Sequence, residues 1–211
     1  MKQILIFIWV VLVGIIGNVY AASIQEGKHY QKLASPCKLE CEGKVDIQEY
    51  FTFVCPSCYK LEQSMKDWLS KKPKNVIFNK IPLTLGAKAL KMQAKGYYVA
   101  KIYDKEQQYI DMMFKKIHQD NKSMGSQGAI LGALESIGIA KEDALQTLNS
   151  FSLEMKIEEN EAKMIKSKIF AMPTIVIGGK YKTDPSIAGG FDNFWNVVDY
   201  IVVQVDKENK S

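Results

Sequence analysis

The sequence predicts an α/β fold with an inserted α-helical subdomain. Three observations carry that expectation. An apolar run at Val45–Phe53 leads straight into Cys55-Pro56-Ser57-Cys58 and a helical pattern. The stretch 86–168 has helical periodicity and no strand-like run. A strand, a Gly-Gly turn and a second strand follow from Thr174, and an amphipathic helix closes the chain. With 211 residues, the chain is long enough for one well-filled core with an elaboration.

The N-terminus reads as an export signal over residues 1–21. Lys2 precedes an uncharged apolar run, Ile4–Ile16, and the small residues Val19 and Ala21 suit cleavage after Ala21. The run is shorter than the roughly 20 residues needed to span a bilayer. Extended to Ala22, it could alternatively remain as an uncleaved anchor. The mature segment to Gly43 is polar, with one short strand expected around His29–Leu33.

Val45–Phe53 is rich in β-favouring side chains and apolar on both faces, as a strand covered on both sides should be. Tyr59, Leu61, Met65, Trp68 and Leu69 then recur at helical spacing, so a helix runs from the cysteines to about Ser70. Pro56 suits its first turn, and Lys71-Lys72-Pro73 ends it. Val76–Ile81 is a second strand. The helical block 86–168 breaks near Asp120–Ser126 and Ile137–Ala140. Met112, Met113, Tyr97, Tyr98 and Tyr103 are expected to pack between its helices. Thr174–Ile177 is a strand, Gly178-Gly179 a tight hairpin turn, and Phe191–Val205 a helix.

The composition is that of a globular chain, 47% hydrophobic and 24% charged. Its net charge of +5 comes from lysines scattered along the chain, without a single arginine. Bidentate recognition of phosphate or guanine favours arginine, so the basic balance reads as a solvated surface and no nucleic-acid partner is expected.

The chemistry lies in Cys55 and Cys58. A cysteine at a helix N-terminus meets unpaired N–H groups and the positive end of the helix dipole, which favour the thiolate. Such a sulfur is both a nucleophile and a good leaving group, while Cys58, one turn further, is expected to be buried and to resolve a mixed disulfide. The pair needs no cofactor, because the disulfide is itself the redox group. The chain has four cysteines, and Cys37 and Cys41 raise the alternative of a four-cysteine zinc site. Zinc-ribbon cysteine pairs sit in exposed turns, whereas Cys55 follows an apolar strand. The expectation is therefore no metal, with Cys37 and Cys41 forming a local structural disulfide or pairing between chains. Glu49 is the odd residue of its strand, since a buried carboxylate is costly unless paired or neutral.

The runs Glu49–Tyr59, Met172-Pro173-Thr174 and Gly179-Lys180-Tyr181 make the sequence resemble the DsbA family of bacterial periplasmic disulfide oxidoreductases over most of the mature chain. The resemblance implies a thioredoxin-like fold over 22–85 and 169–211 with the helical insertion at 86–168. It implies a cis proline at Pro173 facing the disulfide, with Met172 presenting its backbone to an extended substrate. It also implies that Glu49 moves protons for the buried cysteine and that Lys80 is its partner. By the same resemblance, reduced unfolded exported proteins are the substrates, a DsbB-like membrane oxidase is the partner, and the periplasm is the compartment. Two positions depart from the family pattern. Ser57 stands where many members have histidine, and neither His29 nor His118 is near it in sequence. Met172 stands where a β-branched residue is common. Two other readings compete: a disulfide isomerase or reductase, and a chaperone-like binding module whose disulfide is inert.

Overall fold

The computed structural model describes residues 23–34 and 43–210. The expected leader, Cys37 and Cys41 lie outside these described residues. Five strands form one mixed sheet: β1 (Gln31–Lys32), β2 (Val45–Phe51), β3 (Val76–Pro82), β4 (Thr174–Ile177) and β5 (Tyr181–Thr183), in the order β1-β5-β4-β2-β3. Only β2 and β3 are parallel; β4 runs antiparallel to β2, and β5 antiparallel to β4 and β1.

Strand β2 ends two residues earlier than its apolar run predicts. Beyond Phe51 the chain leaves the ladder and turns, with the Cys55 N–H donating to the Thr52 carbonyl at 3.3 Å. Phe53 still buries its side chain, which is why composition alone extends the strand through it. Helix α1 (Pro56–Lys71) follows, burying Cys58, Leu61, Glu62, Met65 and Trp68 along one face. The helix stops at Lys72, held in an extended conformation before Pro73.

The stretch between β3 and β4 is helical, as its periodicity predicts: α2 (Lys88–Ile102), α3 (Glu106–Phe114), α4 (Gln127–Ser136), α5 (Lys141–Leu148) and α6 (Phe151–Lys166). Helix α3 runs on into a π-helical turn at Lys115–Gln119. Two breaks escaped the periodicity. Asp104 takes a left-handed backbone conformation between α2 and α3, and Ser150 caps α6 by accepting from the Leu153 N–H. Left-handed residues also bracket the block, Leu85 and Gly86 before it and Lys168 after it. In the hairpin, Gly178 and Gly179 have φ of 59° and 62°, which a two-residue turn between twisted strands demands. Helix α7 (Phe191–Lys210) extends past the expected end at Val205.

The sheet is covered on both sides. Helices α1 and α7 bury Leu61, Met65, Phe194, Val198 and Ile201 against Val45, Ile47, Ile175 and Ile177. The helical block packs Tyr97, Tyr109, Met113, Phe114 and Ile130 against Phe51, Phe53 and Cys58 at the end of β2 and the start of α1. Tyr97, Tyr98 and Met113 are buried, as expected, but Tyr103 is exposed.

Gly96 in α2 shows how tight this contact is. A Cβ there would meet the Tyr109 hydroxyl and stand 2.7 Å from Ile130 Cγ2. Tyr109 cannot retreat, because it is fully buried and donates to the Gln93 carbonyl at 3.2 Å. Gly96→Ala should therefore lower stability by about 1–3 kcal/mol from overpacking, despite the gain of up to ~1 kcal/mol in helix propensity. Urea unfolding of both proteins measures this.

Candidate active site

Helix α1 begins with a sulfur atom as its cap. Cys55 has an extended backbone (φ −80°, ψ 116°), and its Sγ accepts from the Cys58 N–H at 3.3 Å. Pro56 occupies the first helical position, where its missing N–H costs nothing. Both cysteines are free thiols. Cys55 is half-buried, whereas Cys58 is fully buried on the inner face of α1.

The two sulfurs are electrostatically unequal. Hydrogen bonding from the Cys58 thiol, then from the Cys58 and Ser57 N–H groups, brings the Cys55 thiol down to about 6, against the opposing effect of partial burial. Burial first, then the bond to Cys55 and the charge of Glu49, push the Cys58 thiol far above its ordinary value.

The β2–β4 pairing brings a distant loop to the same place. Tyr50 pairs with Thr174, so the chain before β4 passes the end of β2 beside Cys55. The Met172–Pro173 peptide bond is cis, and the Met172 carbonyl lies 3.4 Å from Cys55 Sγ. A cleft of about 260 Å³ opens here, lined by Ser57, Met172, Pro173, Asp184 and Phe191 among others.

Behind Cys58 sits a buried set of charges. The parallel register places Glu49 directly beside Lys80. Lys80 Nζ donates to Glu49 at 2.9 Å and to Glu62, one turn past Cys58 on α1, at 2.5 Å. All three are at least nine-tenths buried. Two carboxylates share one ammonium in a dry environment. Burial raises Glu49 to about 7, with Lys80 opposing and Glu62 adding to the rise. For Lys80, burial acts to lower the pKa, but the two carboxylates outweigh it and raise it.

Sequence reasoning missed Glu62 and set His118 aside. Glu62 follows Cys58 at i+4, so helical spacing alone puts it on the same inner face. His118 carries no such signal. The π-helical turn brings it onto Tyr59, with ring centroids 4.7 Å apart and planes 3° from parallel, and its Nε2 lies 2.8 Å from the Phe53 carbonyl. The nearest histidine thus reaches the cysteine turn from the helical block, not from the position of Ser57. Among the described residues no cluster of His, Cys, Asp or Glu could hold a metal ion, and no helix is long and apolar enough to cross a membrane.

Comparison with known proteins agrees with this geometry. A family model described as DSBA-like thioredoxin domain matches residues 46–201. A thiol:disulfide interchange protein DsbA from Pseudomonas aeruginosa is 28% identical over 83% of this chain and 83% of its own. The corresponding protein of Azotobacter vinelandii is also 28% identical, over 87% of this chain and 85% of its own. The crystal structure of Pseudomonas aeruginosa DsbA superimposes with a TM-score of 0.82 at 27% identity, covering 89% of this chain and 97% of that one. The matched stretch holds the cysteine pair, the helical block and the Met172–Pro173 turn, and the chain belongs to the DSBA-like thioredoxin domain family.

Proposed function

We propose that this protein is a thiol:disulfide oxidoreductase that introduces disulfide bonds into exported proteins through Cys55 and Cys58. The observation that carries the reading is the inequality of the two sulfurs: one caps a helix at the surface, and the other is buried behind it. A stabilised thiolate at Cys55 favours the reduced enzyme, and a dithiol that is stable when reduced is an oxidant when it is a disulfide.

The exchange balances in two steps. A substrate thiolate attacks Cys55 Sγ of the enzyme disulfide; the S–S bond breaks, and its electron pair leaves on Cys58 Sγ, which takes a proton. A second substrate thiolate then attacks the substrate sulfur of the mixed disulfide and releases Cys55 as a thiolate. The substrate loses two electrons and the enzyme gains them. Glu49, which the rise to about 7 keeps near half-protonated at neutral pH, is suited to exchange the Cys58 proton, with Lys80, itself bonded to Glu62, holding it in place.

The cleft at Ser57, Met172 and Pro173 suits an extended, reduced segment of an unfolded protein, which could bond to the backbone of Met172. In this reading the segments 22–85 and 169–211 carry the dithiol, and 86–168 covers its inner side. The reduced pair is returned to the disulfide by a DsbB-like membrane oxidase. The setting is the periplasm, reached through the leader at 1–21, where disulfides persist.

Oxidation of a reduced dithiol peptide tests the reading directly. Cys55→Ala should abolish it, and retention of the wild-type rate would refute the function. Ser57→His should place a further donor, able to carry positive charge, beside Cys55. The pair should become more oxidising against glutathione, and an unchanged or less oxidising equilibrium would refute that expectation.

A pH dependence follows from Cys55. Its folded-state pKa lies below the ordinary thiol value of 9.0, at about 6. The stabilisation it gives the reduced form is therefore complete above the unfolded value and is lost as pH falls through the folded one. The disulfide form has no ionising thiol at this position. Glu49, raised to about 7, contributes in the opposite sense: its stabilisation is lost as pH rises through that value. Burial, the largest cause of the Glu49 rise, acts in both redox forms, so most of its effect cancels in their difference. The stability of the reduced form relative to the oxidised form should fall as the pH drops from 9 to 6. Urea unfolding of both forms at matched pH measures this, and a constant difference would contradict it.

A further inference from the structure

We infer that His118 is a positioning residue for the Cys55–Cys58 turn, holding its two flanks in the geometry of the reduced form; the inference rests on the redox reading of that pair.

His118 sits in the π-helical turn Lys115–Gln119 that extends α3. Such turns insert an extra residue into the helical repeat and re-aim the side chains that follow. Here the ring of His118 is laid flat on Tyr59, and Phe114 lies against it at 5.8 Å between centroids. Tyr59 is the residue immediately after Cys58, and its own N–H donates to the Cys55 carbonyl at 3.1 Å. Its hydroxyl also accepts from Gln119, in the same π-helical turn, at 2.5 Å.

On the other flank, His118 Nε2 lies 2.8 Å from the Phe53 carbonyl oxygen. That oxygen can only accept, so Nε2 carries the hydrogen and donates it. Phe53 stands two residues before Cys55, in the segment that leaves β2. One side chain from the helical block therefore touches the residue that follows the dithiol and the segment that precedes it.

The contact discriminates between redox forms by charge. The thiolate of Cys55 exists only in the reduced form, and the His118 N–H donates to the carbonyl of Phe53, two residues before it. A partial positive charge held on this backbone favours the dithiol, whose Cys55 can carry the negative charge, over the uncharged disulfide. Ser57 stands where a histidine donor is common in the family, and His118 supplies a donor from the helical block, to the Phe53 carbonyl.

The experiment compares wild-type protein with His118→Phe, which keeps an aromatic ring on Tyr59 but removes the donor, and with His118→Gln, which keeps an N–H donor. Each is equilibrated with reduced and oxidised glutathione, and the Cys55 thiolate of each reduced protein is titrated by its ultraviolet absorbance. For His118→Phe the equilibrium should shift roughly threefold to tenfold toward the disulfide form, the range set by one net hydrogen bond. Its Cys55 titration should move to higher pH. His118→Gln should stay closer to wild type in both measurements.

A His118→Phe protein with the wild-type equilibrium and titration would overturn the inference, whatever its melting temperature, since a merely structural histidine would change stability in both redox forms alike. Equal shifts in both variants would overturn the assignment of the donor. If the wild-type pair forms no disulfide with glutathione at all, the redox reading fails, and that outcome is separate from the ratio between the variants.

Discussion

The first turn of a helix has N–H groups that no carbonyl of the helix can reach, and in α1 the sulfur of Cys55 takes one of them. Much of the site follows from that contact. A sulfur acting as a cap is close to several N–H groups and to the positive end of the helix dipole, so its charged form is favoured. A residue three positions on is then one turn into the helix, and in α1 that inner face is turned to the core. The same geometry that exposes Cys55 thus buries Cys58, and burial disfavours its charge. Two identical side chains acquire opposite chemical character from one helix start.

The buried charges behind Cys58 carry a cost that the fold must meet. Glu49, Lys80 and Glu62 come from three elements: two adjacent parallel strands and the helix packed on them. Removing ions from water costs several kcal/mol each even after relaxation, and a single ammonium cannot fully compensate two carboxylates. The result is a carboxyl group pushed up to about 7, close to the buried Cys58 thiol. The register that pairs Glu49 with Lys80 is itself set by the apolar residues on either side of Glu49. Sliding β2 by one residue would turn Val45, Ile47 and Phe51 away from the helices that bury them.

The helical block is more than a cover. Its aromatic residues pack on Phe51 and Phe53 at the point where β2 gives way to the cysteine turn, and its π-helical turn reaches Tyr59 and the Phe53 carbonyl. The backbone that carries the dithiol is therefore held from three sides: by β3 and β4 within the sheet, by the Met172 carbonyl across the cleft, and by the helical block beneath.

Much of this was readable in the sequence because it is local. Periodicity located β2, α1, the helical block and α7, since each buries a face at its own repeat. Cys55, Pro56 and Cys58 defined the helix start, because capping acts within one turn, and Gly178-Gly179 defined the hairpin through a backbone conformation that glycine tolerates. Glu49 stood out as a charge between Ile47 and Phe51 on one face of its strand. Non-local features were not readable in this way. The 3.4 Å approach of Met172 to Cys55 depends on the pairing of β4 with β2, whose sequences lie more than a hundred residues apart. Glu62 joined Lys80 only when α1 packed on the sheet, and the contact of His118 with Tyr59 and Phe53 exists only because a π-helical turn re-aims one ring. Backbone preference and hydrophobic repeat act over a few positions, so the residue types and their spacing already mark the cysteine pair and its helix start. Hydrogen bonds and buried charges act over a few ångströms whatever the separation along the chain, so the distant groups around that pair are set by the packing of the elements.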